Sequence, residues 1–141
     1  MKYVVDSSVA FKWVVVEIDS DKALLLRDGY AQSIHHLMAP DLFPIEIASA
    51  LASAEKSGRI QSGEAAQFFL HIINNPPDLH DSQPLLTRAL EISLGTRHSV
   101  YDCLYVALAE REKCEIITAD DKLVNNLQPA FPFVKSLSSL P

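Results

Sequence analysis

The seven-residue run Cys103-Leu104-Tyr105-Val106-Ala107-Leu108-Ala109 constrains the fold more than any other segment. It lies inside the helix predicted for Ser99–Glu112 and leaves that helix apolar almost all round. A helix without a polar face must lie deep. Two short, apolar, β-branched runs can cover it: Lys2–Asp6 near the start of the chain, and Cys114–Thr118 just after the helix. Their continuous apolar character is that of strands buried on both faces. Such strands belong to parallel sheets clad by helices on both sides.

The rest of the chain follows the same alternation. Ser7 and Ser8 are N-capping types ahead of a short helix over Val9–Val15. Asp19-Ser20 opens a second helix, weakened later by Gly29. Met38–Ala39 is a short strand ended by Pro40. Asp41 stands where it would cap a helix from about 42 to 57, with Pro44 in the first turn, where its missing N–H costs nothing, and Gly58 as the stop. Helices at Ser62–Ile73 and Gln83–Leu94 flank a brief strand at Asp78–His80, and a helix at Asp121–Leu127 precedes a last strand at Phe133–Lys135. Right-handed βαβ crossovers join these pieces. One domain over residues 1–135 is expected, with Ser136–Pro141 as a loose tail that has little to bury.

Charge and composition remove several function classes. A net charge of −6 argues against a basic wrapper of nucleic acid and against an anionic membrane surface. With four Gly, none in a Gly-x-Gly or Gly-Lys-Ser/Thr setting, there is no phosphate-cradling loop. Cys103 and Cys114 read as reduced thiols. Asp6 and Lys12 break the apolar stretch Val4–Val16, so it is not read as a targeting segment. No stretch reaches the roughly 18 apolar residues of a membrane span. The expected location is the cytoplasm, with no membrane partner.

Against this background four acids stand out. Asp6 ends the first strand, Glu46 shares the apolar stripe Phe43, Ile47, Ala50, Leu51 and Ala54, Asp102 opens the buried helix, and Asp120 follows Ile116-Ile117-Thr118. Each has a modest explanation alone: Asp6 and Asp120 as helix-start residues, and Asp102 at a capping-box distance from Ser99. Glu46 is harder to explain, because its own helix offers it no nearby cation. Asp6 and Asp120 lie at the carboxyl ends of two predicted parallel strands, the edge where open α/β sheets bind ligands. If those strands are neighbours, the acids converge. Two carboxylates about 5 Å apart repel by roughly 3 kcal/mol at an effective dielectric near 20. A fold keeps such a cluster when a cation offsets it.

The segments Val4-Val5-Asp6-Ser7-Ser8, Pro44-Ile45-Glu46-Ile47-Ala48, Ser99-Val100-Tyr101-Asp102-Cys103-Leu104-Tyr105-Val106-Ala107-Leu108-Ala109 and Ile117-Thr118-Ala119-Asp120 resemble, in order and spacing, the motifs of PIN-domain proteins. They are most similar to the VapC-type toxins of toxin–antitoxin pairs, over residues 2–135. The resemblance implies a three-layer α/β/α sandwich with a central, mostly parallel five-stranded sheet. It implies a Mg²⁺- or Mn²⁺-dependent endoribonuclease, a homodimer, and a small antitoxin that blocks the site. Asp6, Glu46, Asp102 and Asp120 then match the acidic quartet, and Ser8 and Thr118 match its accompanying hydroxyls. One departure is Ser49, where family members often carry Asn.

On this reading Asp6 and Asp102 would hold one divalent ion. Asp120 would bind it through water or hold a second, and Glu46 would orient a water or act as general base. Asp121 is a supporting candidate. Lys12, Arg97 and Lys122 are candidate contacts for RNA phosphates. Hydrolysis by water would leave a 5′-phosphate and a 3′-hydroxyl. The alternative is a PIN-like module, weakly active or inactive, that binds RNA or a protein partner. A phosphatase or receiver domain fits less well: the first wants Asp-x-Asp where position 8 is Ser, and the second wants an acceptor Asp after a clear middle strand. His98 reads as a loop histidine, and His35-His36 lacks a third zinc ligand.

Overall fold

The computed structural model describes residues 1–141. Its strands are β1 (Lys2–Val5), β2 (His36–Pro40), β3 (Asp78–His80), β4 (Glu115–Thr118) and β5 (Val134–Ser136). They form one sheet in the order β3-β2-β1-β4-β5, with every neighbouring pair parallel. The helices are α1 (Ser7–Phe11), α2 (Ser20–Ala31), α3 (Phe43–Lys56), α4 (Glu64–Ile73), α5 (Leu86–Gly95), α6 (Val100–Glu112) and α7 (Asp121–Leu127). The expected α/β/α sandwich is thus present, with a sheet that is wholly parallel.

Burial explains why the two apolar runs became central strands. Val4, Val5, Ile116 and Ile117 are all fully buried, so β1 and β4 are covered on both faces. Helix α6 packs against β1, β2 and β4, and α5 packs on α6. All seven residues Cys103–Ala109 are buried, as a helix without a polar side requires. These segments belong to one contiguous apolar cluster that runs from Val4 to Leu137. No helix is long and apolar enough to cross a membrane.

Several local expectations are corrected. The first helix starts two residues earlier than expected and ends at Phe11, so Ser7 and Ser8 lie within it. Asp41 does not cap α3: the cap position is Leu42, and the Asp41 carboxylate instead accepts from the Ser82 hydroxyl. The segment expected as one helix over Gln83–Leu94 is a 3-10 turn, Gln83–Leu85, followed by α5. Gly29 has a packing role rather than a merely weakening one. A Cβ there would meet the His35 ring at 2.2 Å, and that ring donates from Nε2 to the Leu26 carbonyl at 2.6 Å.

The tail expected to be loose from Ser136 is packed. Ser136 completes β5, a 3-10 turn follows at Leu137–Ser139, and Leu137 is fully buried. Lys22 Nζ donates to the Ser138 carbonyl at 2.7 Å and ties the turn to α2. Leu137 sits in the core cluster and Leu140 packs against it, so the tail does have apolar surface to bury.

Candidate active site

The chain runs outward from β1 through β2 to β3, then returns to the other side of β1 to add β4 and β5. The direction of winding therefore reverses between β1 and β4, which pair with Val5 opposite Ile117. At such a switch point the two flanking loops splay to opposite faces and leave a crevice at the carboxyl ends of the strands. Asp6 and Ala119-Asp120 are the residues that leave β1 and β4 there.

Asp6 is the only charged residue among the buried ones, at 7% exposure. Its amide donates to the Ile117 carbonyl at 3.0 Å, which continues the β1–β4 ladder by one bond. Its Oδ2 accepts from the Ser8 hydroxyl at 2.6 Å and from the Thr118 hydroxyl at 2.9 Å. Each hydroxyl also accepts from the turn after β4: Ser8 Oγ, from across the crevice, from the Ala119 amide, and Thr118 Oγ1 from the Asp120 amide two residues on, both at 3.0 Å. Ser8 and Thr118 thus join the Asp6 carboxylate to the turn that carries Asp120. Burial pushes the Asp6 carboxyl above the ordinary range; the two hydroxyls oppose this, and Asp102 and Asp120 add to it.

Asp120 caps α7: its Oδ1 accepts from the amides of Lys122 and Leu123, at 3.0 and 3.4 Å. Those bonds leave Oδ2 without a protein donor. At Ser99 the cap of α6 is one-sided. Ser99 Oγ accepts from the Asp102 amide at 3.3 Å, but the Asp102 carboxylate turns instead to His98 Nδ1, also at 3.3 Å. Against a carboxylate, Nδ1 must carry the proton. His98 is therefore more than a loop histidine: its side chain is 8% exposed, and its Nε2 lies 3.1 Å from Asn126 Nδ2.

Glu46 stands just outside the crevice, in the first turn of α3. Its Oε1 accepts from the Tyr105 hydroxyl at 2.7 Å and from Ser7 Oγ at 3.5 Å. Burial raises the Glu46 carboxyl; the Tyr105 bond opposes this, while the charges of Asp6 and Asp102 reinforce it. Tyr105 itself is fully buried and held well above the ordinary phenol range by burial and by Asp6 and Glu46. It is therefore a neutral donor. Its hydroxyl in an otherwise apolar run was the sequence signal that a polar partner stood across the core.

The crevice has a volume of about 580 Å³, and Asp6, Ser7, Ser8, Asp102, Ala119 and Asp120 line one part of it. Its other part is lined by Phe11, Lys12, Glu17, Ser53 and Arg59 among others. Of the expected phosphate contacts, Lys12 lies in this wall, whereas Arg97 and Lys122 are exposed residues outside it. Asp121 is likewise exposed at the start of α7 and does not line the crevice. Ser49 is exposed and makes no side-chain hydrogen bond. Glu17 and Arg59 carried no signal in the sequence, because nothing in their spacing brings them to the acids.

Asp6, Asp102 and Asp120 offer only oxygen, the donor chemistry of hard divalent cations. No Lys or Arg bridges to any of the four acids; the ion pairs made by those cations lie elsewhere. No three acid, histidine or cysteine side chains are gathered closely enough to ligate a single ion together. Oxygen-only donors suit a hard ion such as Mg²⁺, which takes one or two protein carboxylates and completes its shell with water.

Comparison with known proteins bears on the family and the fold. The model of the PIN domain matches residues 3–126. Ribonuclease VapC9 of Mycobacterium tuberculosis is 30% identical over 122 residues, which is 84% of this chain and 94% of that protein. The crystal structure of PAE2754 from Pyrobaculum aerophilum superposes with a TM-score of 0.71 at 19% identity, over 99% of this chain and 94% of the other. VapBC2 from Rickettsia felis, solved bound to a DNA fragment from its promoter, gives a TM-score of 0.62 at 14% identity, over 96% and 97%. The family-model match over residues 3–126 and the 30% identity to VapC ribonucleases show that this chain belongs to the PIN domain family and is a VapC-type member of it.

Proposed function

We propose that this protein is a divalent-metal-dependent endoribonuclease and the toxin of a type II toxin–antitoxin pair. The observation that carries the reading is Asp6: a carboxylate buried at the sheet's switch point, met only by hydroxyls, sharing a crevice with Asp102 and Asp120 and with no Lys or Arg against any of them. Asp6 and Asp102 would hold Mg²⁺ or Mn²⁺, with Asp120 contributing through water by its free Oδ2. The ion would supply positive charge to activate a water and to offset the charge that develops on the phosphate.

The remaining steps fall to the chain's own groups. Ser8 and Thr118 fix the Asp6 carboxylate and hold the Asp120 turn against it. Tyr105 and Ser7 aim Glu46, whose raised pKa suits a residue that orients a water or takes its proton. Lys12 is the phosphate contact that the crevice favours; Arg97 and Lys122 would meet only RNA that extends past it. Relatives named as ribonucleases support RNA as the substrate. A small antitoxin partner follows from the VapC-type membership, and VapBC2 of Rickettsia felis is a neighbour of the same fold. A homodimer in the cytoplasm completes the reading.

Incubation of the purified protein with RNA and Mn²⁺, then with excess EDTA, tests it. Cleavage that leaves 5′-phosphates and stops with EDTA is expected. Absence of cleavage with every divalent ion, with RNA still bound, would favour the non-cutting PIN-like module, for which Ser49 in place of the usual Asn is the relevant departure.

A further inference from the structure

The crevice has two cations in its wall, Lys12 and Arg59, and both are bound to the same carboxylate. Lys12 Nζ lies 3.3 Å from Glu17 Oε1, and Arg59 Nη2 donates to Glu17 Oε2. The Lys12 side chain is only 13% exposed. Arg59 lies over the Phe11 ring, 5.6 Å from its centroid, so its guanidinium is held in place from a second side. Two fixed cations on one small anion form the arrangement that proteins use for a phosphate.

The loop that carries Glu17 reverses the usual rule of burial. Val16 and Ile18, on either side, are 92% and 84% exposed, while the charged residue between them turns inward. Asp19 then adopts a left-handed backbone at φ 64°, a conformation uncommon for a residue with a side chain. Besides its ion pairs, the loop is tied by the Glu17 amide to Ser20 Oγ at 2.8 Å, by Ser20 Oγ to the Val15 carbonyl at 3.4 Å and by the Ser20 amide to the Glu17 carbonyl at 3.2 Å. The ion pairs, rather than apolar packing, keep Glu17 in the crevice. In a chain of net charge −6 that must meet a polyanion, neutralising both cations of the crevice is costly to encounter unless the neutralising group can leave.

We propose that Lys12 and Arg59 form a phosphate-binding subsite for the RNA strand, and that Glu17 occupies this subsite until a backbone phosphate displaces it. The inference rests on the ribonuclease reading for its ligand. It adds a residue, Arg59, and a gate, Glu17, to the acids that would carry the chemistry. Displacement needs no bond to form or break: one anion exchanges for another on the same two cations, and the Glu17 carboxylate moves out to water with its loop.

The test is binding of a fluorescein-labelled single-stranded RNA of about a dozen nucleotides, followed by anisotropy with Ca²⁺ in place of Mg²⁺. Glu17→Gln keeps the hydrogen-bonding shape and removes the charge. It is expected to tighten binding by about threefold or more and to steepen the salt dependence between about 50 and 200 mM. Arg59→Gln is expected to weaken binding, to flatten the log–log salt slope by about 0.7, and to abolish the gain in the Glu17→Gln/Arg59→Gln pair. Glu112→Gln is the control for net charge, because that carboxylate bridges Lys2 and Arg111 away from the crevice. An equal gain from Glu112→Gln, or weaker or unchanged binding by Glu17→Gln, would overturn the proposal. If Glu17→Gln fails to fold, Arg59→Gln alone decides, since its side chain is 54% exposed, and unaltered affinity and slope would sink the subsite. Loss of cleavage in the wild type would count against the nuclease reading without deciding this comparison, which reads binding only.

Discussion

The Tyr105 hydroxyl donates to Glu46 Oε1 across 2.7 Å, joining the most deeply buried helix to the first turn of α3. Tyr105 is fully buried and Glu46 half-buried, so the bond fixes a carboxylate at the edge of the crevice from inside the core. Tyr105→Phe keeps the ring and deletes the donor, leaving Glu46 with only the 3.5 Å contact to Ser7. A stability loss of about 0.5–1.5 kcal/mol is expected by denaturant unfolding, the net worth of one hydrogen bond, because the half-buried Glu46 carboxylate can turn to water. The cleavage rate should fall about tenfold or more with KM nearly unchanged, the pattern of a residue that positions a reacting group. A change confined to KM would assign Tyr105 to RNA binding instead.

Asp6 should oppose folding when no cation is bound. Its folded pKa is raised, so the native state holds that proton more tightly than the unfolded chain does. Below the unfolded pKa near 3.9 both states are protonated, and Asp6 adds nothing. As pH rises from there through the raised folded value, stability is lost, and above it the full penalty stands. Asp6→Asn removes the ionisation but keeps an oxygen to accept from Ser8 and Thr118. The metal-free variant should therefore be more stable than the wild type at pH 7, with the difference shrinking toward acid pH, while its cleavage is abolished. Thermal melts across that pH range measure the difference. A variant less stable at pH 7 would mean that the carboxylate is chiefly a structural acceptor.

Thr118 tests the hydroxyl link. It is fully buried, donating to Asp6 Oδ2 and accepting from the Asp120 amide. Thr118→Val preserves volume and removes both bonds. A loss of about 1–3 kcal/mol in unfolding free energy and a marked fall in cleavage are expected, whereas Thr118→Ser should restore much of both. Equal activity in the valine variant would show that the Asp120 turn is held well enough by its own α7 cap.

The central strands, the buried helix α6 and the meeting of Asp6 with Asp120 were legible in the sequence, because continuous apolar runs have few other places to go. Ser8 and Thr118 were legible through the motif resemblance. Arg59 and Glu17 were not: their approach depends on how the loop before α2 folds over the end of α3, and no periodicity encodes that. Asp121, Arg97 and Lys122 were drawn in by nearness in sequence, yet none of the three lines the crevice: Asp121 and Lys122 open α7 facing outward, and Arg97 lies in the exposed bend between α5 and α6. The tail was misjudged because Leu137 and Leu140, two isolated apolar residues, carry no repeat by which burial can be read.

Calorimetric titration of Mn²⁺ into the metal-free protein tests most directly whether these acids form a cation site. Saturable binding is predicted for the wild type. At 10–100 times the dissociation constant it should stabilise the fold by about 1.4–2.7 kcal/mol, and Asp6→Asn and Asp102→Asn should each weaken binding severely while remaining folded. Absence of binding by the wild type, or equal binding by both variants, would contradict it.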